Sequence, residues 1–248
     1  MPRLFRTSNL ALNAKTFEDH RAVGEESMTL QGTVNKTGVL LLCVVATAAW
    51  TWGLARSETP AAVYPWILGG IFGGFVIALG TIFRKDYAPF TAPLYALCEG
   101  LVLGGISSTL DLRFPGIAIH AVALTFGTLG VMLLAYTSGL IRATKKFKIG
   151  VVAATGAIAI VYLIDLVLRF FGMQVPLINE SGPLGIVVSL VIVGIAALNL
   201  ILDFDFVETG VQEHAAKYME WYGAFGLMVT LIWLYLEILR LMSKMRRR

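Results

Sequence analysis

The chain has 248 residues, of which 57% are apolar and 15% charged, whereas an ordinary soluble domain is roughly 45–50% apolar and about 25% charged. With a mean hydropathy of +0.75, too few charges remain to coat a soluble core, which excludes a soluble enzyme, a disordered regulator and a secreted disulfide scaffold. The net charge of +4, from 20 basic and 16 acidic residues, is concentrated at the ends of apolar runs, so it marks membrane boundaries and not a nucleic-acid surface.

Residues 1–36 read as a polar cytoplasmic tail with five basic residues, Arg3, Arg6, Lys15, Arg21 and Lys36. They lack the early apolar stretch of a cleavable signal peptide. From residue 37 onward the chain is expected to be a single transmembrane domain. Seven apolar runs fall at 37–55, 65–83, 93–110, 116–140, 148–171, 183–204 and 221–242. Each approaches the ~20 helical residues that cross about 30 Å of hydrocarbon. The runs are continuous and do not alternate, so they predict an all-α membrane bundle and not a barrel. Pro65, Pro93 and Pro183 lie near the starts of runs two, three and six, where a missing N–H costs little.

Twelve basic residues lie in the tail and the 2–3, 4–5 and 6–7 loops, against three on the other side (Arg56, Arg113, Arg169), which favours a cytoplasmic N-terminus. The basic C-terminal residues Arg240, Lys244 and Arg246 to Arg248 then fall outside, unless one run is re-entrant; seven full spans are preferred. Two overlapping GxxxG pairs in run two (Gly69, Gly70, Gly73, Gly74) and Gly100 with Gly104 in run three predict close helix packing. Trp50, Trp52, Tyr64, Trp66, Trp221 and Tyr222 are expected in interfacial belts. Cys43 and Cys98 sit in apolar runs with no metal or redox spacing.

Ionisable residues inside the runs are the informative ones, because a charge at the bilayer centre needs a partner, a proton or water. They are Glu99, Asp165, Asp203, Asp205 and Glu237, with Arg84 closing run two. Ser189, Ala196, Asn199 and Asp203 form one small-and-polar stripe on run six; Gly223, Gly226, Thr230 and Glu237 form another on run seven. Asp165 with Arg169 and Glu237 with Arg240 have the spacing of pairs on their own helices. Asp203, Asp205, Glu99 and Arg84 are placed at a similar depth near the cytoplasmic side. That depth suits an Arg84–carboxylate latch at the inner mouth, although Asp205 lies about 200° around a continuous helix from Asp203.

Four stretches together resemble the Bax inhibitor-1 (transmembrane Bax inhibitor motif) family in its bacterial branch. They are Gln31-Gly32-Thr33-Val34-Asn35-Lys36-Thr37, Arg84-Lys85, Leu200-Ile201-Leu202-Asp203 and Leu234-Tyr235-Leu236-Glu237-Ile238-Leu239-Arg240. The resemblance implies a seven-helix bundle with the last helix central among the other six, in a bacterial inner membrane. It also implies a pH-sensitive calcium leak. Asp203, with Asp205 second, looks like the family's sixth-helix aspartate, and Arg84 looks like the latch on it. Thr230 stands where the family has a second aspartate, so Glu237 or Glu99 would have to supply that charge. Asp203, Asp205 and Glu237, with Asn199 and Thr230 along the route, are then candidates for weak, transient calcium binding.

No motif of metalloprotease, serine hydrolase or nucleotide site is present, so neither enzymatic chemistry nor a cofactor beyond the transported ion is expected. The alternative function is a regulator that binds another membrane protein through the tail and the glycine faces. The bilayer is the expected environment in either case.

Overall fold

Residues 27–57 and 60–247 are described by a computed structural model, in which seven long helices account for most of the described residues. They are α1 (Leu30–Ser57), α2 (Tyr64–Phe83), α3 (Ala88–Arg113), α4 (Ile117–Thr137), α5 (Lys145–Phe170), α6 (Pro183–Gln212) and α7 (Met219–Met245). All seven are long and apolar enough to cross a membrane, so the chain is a multi-pass membrane protein. Most of the polar tail read from the sequence, residues 1–26, lies outside the described residues.

Each helix overlaps one apolar run, and several extend past it. α1 begins at Leu30, seven residues before the apolar run, and α6 continues eight residues beyond residue 204. Hydropathy marks the hydrocarbon slab; a helix ends only where its backbone is stopped. α6 stops at Glu213, after which His214 turns the chain with a φ of 52°. Gly116, at φ 81°, starts α4 the same way. Thr144 caps α5 by accepting the Phe147 N–H at 3.3 Å. Pro183 opens α6 as expected, but Pro93 lies inside α3, which begins five residues earlier at Ala88.

α7 is the axis of the bundle. In its most apolar stretch 61% of residues are buried, against 11% in α5 and 17% in α2. It packs against α1, α3, α4 and α6, whereas α2 leans mainly on α3 and α5 on α6. The ring around α7 is thus four helices with two outriders, not six. Tyr222, in the first turn of α7, is fully buried beside Phe206 and Phe225 and does not face the surrounding lipid as a belt residue would. Trp50 and Trp66 do meet edge-to-face on the exposed surface, with centroids 4.6 Å apart.

The glycines hold helices close. A Cβ on Gly104 would lie 2.1 Å from Thr51 Oγ1 and 2.3 Å from the Ala48 carbonyl oxygen, and one on Gly100 would lie 2.4 Å from the Val44 carbonyl oxygen. Thr47 Oγ1 donates across the same contact to the Leu97 carbonyl at 2.9 Å. Gly70 and Gly74 press on α3 at Cys98 and Glu99, while Gly69 meets nothing within 4 Å. Gly104→Leu is therefore expected to force α1 off α3 and to destabilise the protein by about 3 kcal/mol or more. Gly69→Leu should change stability by no more than about 0.5 kcal/mol. Thermal unfolding of the two variants in detergent reads the difference.

Candidate functional site

α6 and α7 run antiparallel, and their polar stripes meet along one seam. Asp203 of α6 is hydrogen-bonded by Thr230 of α7, and 14 residues further along each helix Ser189 Oγ accepts from Lys244 Nζ at 2.7 Å. The register is thus constant over about 21 Å of helix. Between these rungs lie Asn199, whose amide donates to Thr155 Oγ1 of α5 and to the Ile195 carbonyl, both at 2.8 Å, and Glu237. Tyr162 of α5 donates to Glu237 at 2.7 Å, and Arg240 reaches the same carboxylate at 3.3 Å.

Asp203 is 2% exposed, and its Oδ2 is the buried side-chain oxygen that finds no hydrogen-bond partner among the described residues. A carboxylate oxygen left without a donor in the interior is costly, and native proteins retain such groups for a reason beyond packing. Thr230 is where the resemblance placed the second aspartate, and it does face Asp203.

The expected latch is not formed. Arg84 lies over the Tyr87 ring, 5.4 Å from its centroid, and its nearest carboxylate is Asp86 at 3.9 Å; its side chain is 68% exposed. Two facts of tertiary structure separate it from Asp203. Arg84 follows α2, an outrider that packs on α3, and Asp203 sits on the central seam nine residues, about 13 Å, before the end of α6.

The other acids are also dispersed. Asp205 pairs with Lys148 of α5, because α6 stays helical through this region and the two aspartates point to different neighbours. Glu99 is hydrogen-bonded by Tyr95 and lies against Gly74, between α2 and α3. Among the described residues no three His, Cys, Asp or Glu side chains converge. Asp203, Asp205 and Glu237 therefore do not form one calcium site. The local pairs expected from spacing are present: Arg169 with Asp165 at 2.8 Å and Arg240 with Glu237. Glu237 is nonetheless buried in the seam and does not snorkel to a surface. Tyr162→Phe removes a donor to it and is expected to cost about 1 kcal/mol, read by thermal unfolding in detergent.

Three buried charges were not singled out in the sequence: Asp111, which pairs with Arg56 at 3.2 Å, Glu220 and Lys244. Glu220, fully buried at the start of α7, accepts from Thr29 N at 2.9 Å and Thr29 Oγ1 at 2.7 Å, and pairs with Lys36 and with Lys217 at 3.2 Å. Gly32 leaves it room, since a Cβ there would lie 2.0 Å from the carboxylate and would push it off these partners. Glu220 precedes the seventh apolar run by one residue and so looked interfacial; its link to Thr29 spans 191 positions. Lys244, read as part of a basic tail, is 4% exposed and also donates to the Gly185 carbonyl at 3.1 Å.

A family model described as Bax inhibitor 1 like matches residues 9–247, nearly the whole chain. No curated protein and no solved structure matches it.

Proposed function

We propose, since the chain belongs to the Bax inhibitor 1 like family, that it provides a pH-dependent leak for cations, calcium foremost, across the membrane it spans. The observation that carries this reading is the buried Asp203 carboxyl group, held by Thr230 on one side and with Oδ2 unpartnered. An ionisable residue kept within the membrane on a packed seam is by default a site on an ion or proton route.

Asp203 and Thr230 offer a few oxygens, and water would complete the six to eight that calcium takes. Such a site binds weakly, as passage requires. With Arg84 elsewhere, the gate is the carboxyl group itself. Its ionised form attracts a cation and its protonated form does not, so flux falls toward acid. Glu237, Tyr162 and Asn199 continue the polar path along the seam. The excess of basic residues in the tail and alternate loops supports a cytoplasmic N-terminus, the resemblance favours a bacterial cell membrane, and the proposed role calls for no catalytic chemistry.

The test is reconstitution into liposomes holding a calcium-sensitive dye. Flux above protein-free liposomes, lost in Asp203→Asn, supports the reading; equal flux from both proteins, or none from either, overturns it. The alternative of a regulator that binds another membrane protein has lost one support. Gly70, Gly74, Gly100 and Gly104 face helices of their own bundle and are not free for a partner.

A further inference from the structure

An opening lies away from the seam, in a furrow between α1 and α4 whose floor is α7. It comprises a cavity of about 1160 Å³ and a second of about 390 Å³, which share Leu41 and Leu231 as a common wall. On α1 the lining extends from Leu30 to Trp52. At 1.5 Å per residue that is about 33 Å, the full hydrocarbon thickness.

The furrow is graded along its length. Its depth is apolar, walled by residues such as Leu129, Leu133 and Leu227, and its charged groups gather at the N-terminal mouth. There Arg142, on the loop after α4, stands across from Glu208 and Asp205 of α6. Asp205 is neutralised by Lys148. Glu208 accepts hydrogen bonds from Tyr136 and, at 3.3 Å, from Gln212, but among the described residues neither Glu208 nor Arg142 has an ion-pair partner. Among the described residues the mouth thus presents one cation and one anion without ion-pair partners, and no net charge.

An aqueous solute gains nothing from the apolar depth, and an extended peptide would leave its backbone unpaired there. An amphiphile one leaflet long fits both parts. A balanced pair of rim charges favours a zwitterionic headgroup over an anionic one. A carboxylate acceptor favours an ammonium that still carries N–H donors over a quaternary amine, which has none to give. We propose that the α1/α4 furrow binds a phospholipid with a primary-amine headgroup, its phosphate on Arg142, its ammonium on Glu208 and its acyl chains along Leu133, Leu41 and Leu231. The site is independent of the leak, since neither Asp203 nor Thr230 lines it.

Native mass spectrometry of the full chain in detergent tests this, with dioleoyl phosphatidylethanolamine, phosphatidylcholine and phosphatidylglycerol added in turn. The tails are identical, so only the headgroup differs. The ethanolamine lipid should bind at about tenfold lower concentration than the other two. Glu208→Gln should erase that preference while leaving choline-lipid binding in place, whereas Arg142→Gln, which removes the contact to a phosphate that all three lipids carry, should weaken all three. Leu133→Trp, at a 44% exposed position that lines the furrow, should narrow it and weaken all three. Equal binding of the three lipids by the wild-type protein overturns the proposal without any variant. A preference that survives Glu208→Gln, or binding indifferent to Leu133→Trp, overturns it as well.

Discussion

Asp203→Asn is expected to lower calcium flux through reconstituted protein by about tenfold or more, the worth of one charge-assisted contact of about 1.5–3 kcal/mol. Asparagine keeps the volume and a partner for Thr230, and removes only the charge. Because the wild-type carboxyl is buried with one oxygen unpartnered, the substitution should not lower the unfolding temperature. Flux and stability then separate: a protein that unfolds as before but no longer conducts has lost a functional group and not its fold. Wild-type flux should decline as the medium is acidified, since protonation removes the charge that draws the ion. Asp203→Asn has no proton to exchange and should give a flat profile. A pH profile unchanged by the substitution would place the titrating group elsewhere.

The second large effect falls on stability. Glu220→Ala removes a fully buried carboxylate that joins the start of α7 to the start of α1 through Thr29, Lys36 and Lys217. Breaking a buried pair from one side costs about 3–5 kcal/mol, because the partner charges are left behind. Lys36 retains some contact with solvent, so about 3 kcal/mol is expected here. Glu220→Gln keeps an acceptor for Thr29 and should lose less. Glu180→Ala, at an exposed position, should be silent to within about 0.5 kcal/mol. Hydrogen exchange over residues 27–37 localises the effect: fast exchange there in Glu220→Ala, with α4 and α5 unchanged, is the expected pattern. Global loosening of all seven helices would show that the hub supports the whole bundle.

Much of the molecule was legible because its cause is local. Seven spans follow from apolar length, and pairs such as Asp165–Arg169 and Glu237–Arg240 follow from helical spacing. The close contacts at Gly100 and Gly104 follow from the small-residue spacing that lets backbones approach. The family resemblance set Thr230 against Asp203. Arg84, Glu99 and Asp205 were harder, because sharing a depth does not mean sharing a neighbour. Arg84 lies on an outrider, Glu99 in the α2–α3 contact and Asp205 on a different face of α6 from Asp203. Glu220 and Lys244 escaped notice because interfacial position and burial look alike in one dimension.

The linear sequence by itself determined that this is a seven-span membrane protein, about where each span lies and that Glu99, Asp165, Asp203, Asp205 and Glu237 fall within the spans. Composition and period are properties of each segment alone, and lipid enforces them one helix at a time. Only the tertiary structure decided that α7 is ringed by four helices, that Asp203 is left without an arginine, that Glu220 ties α7 to α1 and that a furrow opens between α1 and α4. In a bilayer, hydrocarbon surrounds every apolar face equally, so hydrophobicity does not choose which helix neighbours which. Small-residue contacts and buried polar pairs make that choice, and their partners lie too far apart in the chain to be paired by spacing.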